Sequence, residues 1–149
     1  YPNLVVTRTF SKVYGLAGLR VGYAYAAAGV ADLMNRVRQP FNVNSVALAA
    51  ATAALDDIDF VRKSFELNRT GMRQLTDGLR KFGIEYIPSY GNFISVRVKD
   101  AAGVFQKLLR AGVIVRPIAS YGMPQHLRVT IGLESENSRF LECLRQALA

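Results

Sequence analysis

Cysteine, histidine and long apolar runs are scarce in this sequence. The single cysteine, Cys143, excludes an intramolecular disulfide framework. The single histidine, His126, lacks neighbours at the spacing of metal ligands, so we expect no metal site. No stretch approaches the roughly 20 apolar residues of a membrane-spanning helix, and no signal-peptide pattern opens the chain. These absences favour a soluble, cytoplasmic protein that does not bind membranes.

Apolar residues and positive charge are abundant instead. Half of the 149 residues are apolar, which is enough to bury a real core, and the formal net charge is +8. A basic surface is compatible with nucleic acid or with small anions. The positive residues are spread along the chain without an RNA-binding or zinc-finger motif. This spacing favours a solvated surface with a site for small anions, and we expect no nucleic-acid partner.

Strand and helix signals indicate an α/β protein in three parts. Residues 1–43 combine two strands, "LVVTRTF" and "VGYAYA", with a helix over "VADLMNRVR". Residues 44–82 are helical, and residues 83–149 predict a small α/β unit. The first strand, residues 4–10, is β-branched and predicts burial between neighbours. We therefore expect the chain to be the C-terminal portion of a longer protein.

Helix boundaries follow from capping residues. Asn44 or Ser45 is expected to cap the first long helix, and Asp57 or Asp59 the second. Gly83 predicts the end of the second helix, because glycine adopts the left-handed conformation of a C-cap.

One segment, "RTFSKVYGLAGLRVGY", contains a lone lysine, Lys12, between hydroxyls and small residues. Thr9 and Ser11 supply the hydroxyls, and the small residues allow a planar ring or phosphate to approach the backbone. Arg20 can offer a fork of donors to phosphate. The pattern predicts a buried loop with an amine that can form a Schiff base beside an anion anchor. A surface lysine in a glycine-rich turn is the alternative.

Two arginines and an asparagine are further candidates. Arg116 in "VIVRP" and Arg128 in "LRVTIG" lie in apolar strands, where a guanidinium group needs an ion pair or a bound anion. Either a structural ion pair or an anion site satisfies this need. Asn92 in "YGNFI" is either a buried polar group that lines a pocket or a turn residue before a strand.

The segment "TFSKVYGLAGLRVGY" resembles the lysine segment of fold-type I pyridoxal-phosphate-dependent aminotransferases, and within them the histidinol-phosphate aminotransferases. The likeness continues through "RQPFNVNSVA", "GNFISVRV", "GVIVRP" and "HLRVTIGLESENSRFLECL", which is essentially the whole chain. It implies the α/β fold of that family. Residues 1–43 would end its large cofactor-binding domain, residues 44–82 would be bridging helices, and residues 83–149 would form its small C-terminal domain.

The resemblance also implies a cofactor and a division of roles among residues. Lys12 would be the catalytic residue, bound to pyridoxal 5'-phosphate. The implied cofactor-binding residues are Thr9, Ser11, Lys12 and Arg20. The implied substrate-binding residues are Asn92, Arg116 and Arg128. The family usually has a small residue after the lysine, and the β-branched Val13 departs from that pattern.

The implied reaction is transamination between histidinol phosphate or imidazole-acetol phosphate and glutamate or 2-oxoglutarate, in histidine biosynthesis. The full-length parent would be a homodimer. This chain alone is expected to be inactive, because the family's partner for the cofactor ring nitrogen lies upstream of the lysine strand.

Other functions remain compatible with these residues. An aromatic amino-acid aminotransferase or a phosphate-ester decarboxylase of the same superfamily would have a similar lysine and similar arginines. A noncatalytic domain that binds anions or nucleic acid would use the positive charge alone. A catalytically silent relative that has lost turnover through Val13 is a further alternative.

Overall fold

The computed structural model describes all 149 residues, which divide into two compact units. The N-terminal unit is Tyr1–Phe65, and the C-terminal unit is Glu66–Ala149. The α/β class expected from the sequence is confirmed, since both units contain helices and strands. No helix combines the length and the apolar composition that crossing a membrane requires.

The N-terminal unit begins with a two-stranded antiparallel sheet in which Thr9 pairs with Gly22 and Val5 with Ala26. Its elements are β1 (Val5–Thr9), a short 3-10 helix (Ala17–Leu19), β2 (Gly22–Ala26), α1 (Ala28–Arg36), α2 (Ser45–Asp56) and the start of α3 (Ile58–Lys81).

Side-chain caps begin the two long helices at expected positions. The Asn44 side chain accepts a hydrogen bond from the Ala47 N–H at 2.8 Å, so Asn44 caps α2. The Asp57 carboxylate accepts one from the Phe60 N–H at 3.0 Å at the start of α3. Gly83 follows α3 with φ of +66°, as expected of a C-cap.

The core of the N-terminal unit is small. Its fully buried members are Phe10, Val21, Ala47 and Ala51. The prediction that residues 4–10 form a buried strand is wrong for this chain, because β1 is exposed along most of its length. Its partner β2 is the only strand that pairs with it, so β1 is an edge strand and not a central one.

The C-terminal unit contains a four-stranded antiparallel sheet in the order β3-β4-β6-β5. Its elements are the remainder of α3, β3 (Tyr86–Ile87), β4 (Phe93–Arg97), α4 (Ala101–Arg110), β5 (Arg116–Pro117), a 3-10 helix (Ala119–Tyr121), β6 (His126–Thr130) and α5 (Glu134–Leu148). The outer strands β3 and β5 are only two residues long, since regular pairing is limited to those positions.

Alternation along the two central strands separates the face that enters the core from the opposite face. Ile94 pairs with Val129, and Val96 with Leu127, and all four are buried. They pack with apolar residues of the three helices, among them Leu75, Leu79, Leu108 and Leu144. The opposite face carries polar and aromatic side chains, which form the second group of candidate residues below.

Candidate functional site

Lys12 lies in a tight turn immediately after β1. The Gly15 N–H donates to the Lys12 carbonyl oxygen at 2.9 Å, and the Leu16 N–H donates to the Phe10 carbonyl oxygen at 3.0 Å. Gly15 has φ of +71°, which a residue with a side chain rarely adopts. The Phe10 N–H donates to the Val21 carbonyl oxygen at 3.1 Å, and both residues are buried. The Lys12 side chain therefore leaves a locally closed loop with a buried base.

The Lys12 side chain itself is exposed, so the prediction of a buried loop around it is wrong for this chain. Of the residues in and beside the turn, only Phe10 and Val21 enter the small core fully. The Lys12 ammonium group forms no hydrogen bond or ion pair within the chain. Val13 lies on the exposed side of the same turn. The amine is thus exposed and unpaired within this chain.

Arg20 turns back toward the end of β1. Its backbone has φ of +54°, in the left-handed region, where it ends the short 3-10 helix. The guanidinium group donates to the Ala17 carbonyl oxygen at 2.7 Å and lies 3.4 Å from the Ser11 hydroxyl. The Ser11 N–H donates to the Thr9 hydroxyl at 3.1 Å. The structure therefore brings Thr9, Ser11 and Arg20 together in the segment that carries Lys12.

This cluster fits the phosphate and aldehyde of pyridoxal phosphate. Lys12 and Arg20 have no carboxylate partner, so two positive groups remain available to an anion next to two hydroxyls. Gly22 allows the strands to meet behind the cluster, because a Cβ there would lie 2.6 Å from the Arg8 carbonyl oxygen. The glycine two residues after Arg20 is therefore required for close strand pairing.

A second group lies on the face of the C-terminal sheet opposite the core. Arg128 on β6 is directly opposite Arg116 on β5 and, on its other side, directly opposite Ser95 on β4. The Arg128 guanidinium carbon lies 5.1 Å from the centroid of the Phe93 ring. This stacking is a cation–π contact, which orients the flat guanidinium group on the sheet.

Neither arginine of this group forms an ion pair, so the alternative of a structural ion pair is wrong. Like charges at directly opposite positions of a sheet are unfavourable. A bound anion removes that repulsion and can accept hydrogen bonds from both Arg116 and Arg128. The arrangement is therefore suited to a carboxylate or a phosphate.

Asn92 borders this face at the start of β4. The interpretation of Asn92 as a buried polar group is wrong, because its position in the turn before the strand leaves it exposed. Its carbonyl oxygen accepts a hydrogen bond from the Ile131 N–H at 2.9 Å, which ties the turn to the end of β6. The sequence reasoning missed Phe93 and Ser95. The sequence shows that Phe93 follows Asn92, but its contact with Arg128 across the sheet depends on strand register.

The chain combines an α/β fold with an exposed, unpaired lysine in the segment that brings Ser11 and Arg20 together. The chain belongs to the aminotransferase class I and II family, which it matches over residues 1–144. It is 68% identical over 148 residues to histidinol-phosphate aminotransferase 1 of Dechloromonas aromatica, covering 99% of this chain and 41% of that protein. It is 64% identical to histidinol-phosphate aminotransferase of Methylobacillus flagellatus, covering 99% and 40%.

A solved structure has the same fold. Histidinol-phosphate aminotransferase from Sinorhizobium meliloti, in complex with pyridoxal-5'-phosphate, is 28% identical and superposes with a TM-score of 0.89. The match covers 99% of this chain and 41% of that one. The chain thus spans about two-fifths of the length of the relatives that it matches.

Proposed function

We propose that the parent protein is a pyridoxal-phosphate-dependent aminotransferase. It exchanges an amino group between histidinol phosphate or imidazole-acetol phosphate and glutamate or 2-oxoglutarate. The observation that carries this proposal is that Thr9, Ser11 and Arg20 come together in the segment that carries the exposed and unpaired Lys12, without any neutralising carboxylate. The two close relatives named for histidinol phosphate support this choice of substrate.

Each residue of the cluster has a distinct role in the proposed reaction. Pyridoxal phosphate, when bound, supplies an aldehyde carbon that bonds to amines and a ring that withdraws electrons. Lys12 supplies the amine that holds the cofactor, and after release it moves a proton to and from the substrate carbon. Ser11 and Arg20 hold the phosphate group, and Thr9 fixes the backbone of Ser11.

Arg128 and Arg116 bind the anionic group of the substrate. A guanidinium group donates two parallel hydrogen bonds equally well to a carboxylate and to a phosphate. The same pair can therefore accept glutamate in one half-reaction and histidinol phosphate in the other. Phe93 keeps Arg128 oriented, and Asn92, exposed beside Phe93 at the start of β4, is available to contact the substrate.

The parent protein is further inferred to be a cytoplasmic homodimer, with residues 1–43 in a large domain, 44–82 as bridging helices and 83–149 as a small domain. Exposed apolar side chains in the N-terminal unit support additional polypeptide around it. Phe41 is 97% exposed and Val37 84% exposed. Exposed apolar side chains close together in the sequence are typical of surfaces that another chain or domain covers.

An assay of the full-length parent tests the reaction. Purified parent with pyridoxal phosphate should convert imidazole-acetol phosphate and glutamate to histidinol phosphate and 2-oxoglutarate. Failure to do so, with good turnover of phenylpyruvate, would favour an aromatic aminotransferase. Release of CO₂ from a phosphorylated amino acid would favour a decarboxylase.

The isolated 149-residue chain is a second test of the proposal. It should bind pyridoxal phosphate weakly and show no transamination, because the proposed site needs residues outside it. Measurable transamination by this chain alone would contradict the proposal that the parent supplies essential groups.

A further inference from the structure

A buried asparagine connects α5 to the end of β6. Asn137 is 2% exposed, and both the oxygen and the nitrogen of its side-chain amide form hydrogen bonds. Its Oδ1 accepts from the Gly132 N–H at 3.0 Å, and its Nδ2 donates to the Gly132 carbonyl oxygen at 3.1 Å. The same Nδ2 donates to the Gln74 Oε1 at 3.0 Å. Since buried amides are unfavourable unless satisfied, this set of bonds fixes the Gly132 backbone closely.

Gln74 completes the connection from α3. Its Nε2 donates to the Glu134 carbonyl oxygen at 3.0 Å and to the Ser138 hydroxyl at 2.9 Å. The first turn of α5 is therefore bonded both to α3 and to the backbone that leaves β6. We call Gln74 and Asn137 the amide clamp.

Helix α3 has a glycine, Gly71, where it contacts the amide clamp. A Cβ at Gly71 on α3 would lie 2.6 Å from the Ile131 Cγ2 and 2.8 Å from the Asn137 Nδ2. Only glycine allows this approach, so α3, the Asn137 amide and the end of β6 are in direct contact. The amide clamp is thus part of a close-packed arrangement, not a flexible surface contact.

The backbone held by the amide clamp adjoins the candidate substrate residues. Gly132 follows Ile131, whose N–H donates to the Asn92 carbonyl oxygen at 2.9 Å. On the other side of Asn92, the Asn68 side chain of α3 donates to the Gly91 carbonyl oxygen at 3.1 Å. Amides on α3 and α5 therefore hold both turns at the edge of the sheet from which Arg128 and Phe93 project.

We propose that Gln74 and Asn137 are positioning residues for substrate binding. They fix the end of β6 and the Asn92 turn, so that Arg128 presents its guanidinium group at the distance an anionic substrate requires. This inference rests on the proposed function, in which Arg128 binds the substrate anion. Neither residue of the amide clamp touches the substrate.

The test uses the full-length parent loaded with pyridoxal phosphate and the substitution Gln74→Met. Methionine has the shape of glutamine but loses all three hydrogen bonds. The probe is glutarate, a dicarboxylate without an amino group, whose Kd is measured by calorimetry. We expect binding about tenfold weaker, which corresponds to roughly one hydrogen bond's net contribution. The affinity for pyridoxal phosphate should change by less than about twofold, because its residues lie in a separate unit.

Two further variants separate positioning from general stability. Gln74→Glu keeps an acceptor for Asn137, so it should weaken glutarate binding only about threefold. If Gln74→Met does not fold, Gln74→Glu tests whether Gln74 affects glutarate binding. Gln146→Met, on the exposed side of α5, is the matched control and should leave the Kd unchanged. A lower melting temperature with unchanged glutarate binding in both Gln74 variants would overturn the inference.

A double-substitution cycle tests whether the amide clamp acts through Arg128. In the Arg128→Ala background, Gln74→Met should change the glutarate Kd by less than about twofold. A persisting tenfold effect would show that Gln74 does not act through Arg128 and would overturn the inference. If Arg128→Ala alone leaves glutarate binding normal, the proposed function fails and this inference fails with it. If Arg128→Ala weakens binding but Gln74→Met does not, only the inference fails.

Discussion

The two units bury their apolar side chains to very different degrees. In the C-terminal unit, fifteen buried residues from the sheet and three helices form one continuous cluster. In the N-terminal unit the corresponding cluster has four buried residues, and Phe41 and Val37 are almost fully exposed. The C-terminal unit therefore has an extensive apolar core of its own. The N-terminal unit carries the proposed lysine site, and its buried core is much smaller.

The largest effect should come from the exposed lysine of the less buried unit. In the full-length parent, Lys12→Ala should lower the rate of transamination by at least about 10³-fold, because general acid–base catalysis alone contributes that much. Steady-state kinetics measures it. The exposed Lys63 on α3 is the matched control, and Lys63→Ala should retain full activity. A Lys12→Ala rate within tenfold of the unsubstituted protein would contradict the assignment.

The difference in burial predicts unequal effects of the same truncation. In this chain, Leu79→Ala should lower the free energy of unfolding of the C-terminal unit by about 3 kcal/mol, because Leu79 is 0% exposed. Leu33→Ala in the N-terminal unit should cost less than about 0.5 kcal/mol, because Leu33 is 61% exposed. Urea unfolding monitored by hydrogen exchange measures the free energy of unfolding of each unit separately.

Leu109 provides a control for that comparison within the C-terminal unit. It is 42% exposed, so Leu109→Ala should cost clearly less than Leu79→Ala. Equal losses at Leu79 and Leu33 would mean that the N-terminal unit has a core of its own, which breaks the contrast between the units.

The two arginine sites should separate cofactor binding from substrate binding. In the full-length parent, Arg128→Ala should weaken glutarate binding about 30-fold and leave the affinity for pyridoxal phosphate unchanged. Arg20→Ala should do the reverse, with about tenfold weaker cofactor binding. Calorimetry with each compound measures both. If either substitution weakens both ligands equally, the division of roles between the units is wrong.

The smallest effects should come from exposed ion pairs, and they should be equal in the two units. Arg62 pairs with Asp59 at 2.9 Å, and Arg80 pairs with Asp77 at 3.0 Å, each one helical turn apart and largely exposed. Each arginine-to-alanine substitution should change the free energy of unfolding by less than about 0.5 kcal/mol. A large loss in only one unit would mean that surface charge, rather than apolar burial, distinguishes the units.

Local features of the molecule could be predicted from the sequence, and non-local ones could not. The caps at Asn44 and Asp57 depend on residues three positions away, and each forms as capping chemistry requires. The turn around Lys12 likewise depends on its own glycine. The exposure of β1 could not be predicted, because a β-branched run indicates a strand without indicating what covers it.

In the C-terminal unit, contacts between residues distant in the sequence could not be predicted. Arg116 and Arg128 are candidates by sequence, but their directly opposite placement follows from strand register. The stacking of Phe93 on Arg128 depends on the same pairing. Gln74 and Asn137 are 63 positions apart, and no local pattern indicates that one buried amide will satisfy the other.

Chemical trapping of the cofactor tests the central claim most directly. The full-length parent loaded with pyridoxal phosphate is reduced with borohydride, digested and mapped by mass spectrometry. A single pyridoxyl group on Lys12 is the predicted result, because this exposed and unpaired amine adjoins the phosphate-binding cluster of Ser11 and Arg20. A pyridoxyl group on any other lysine, with Lys12 unmodified, would contradict the account.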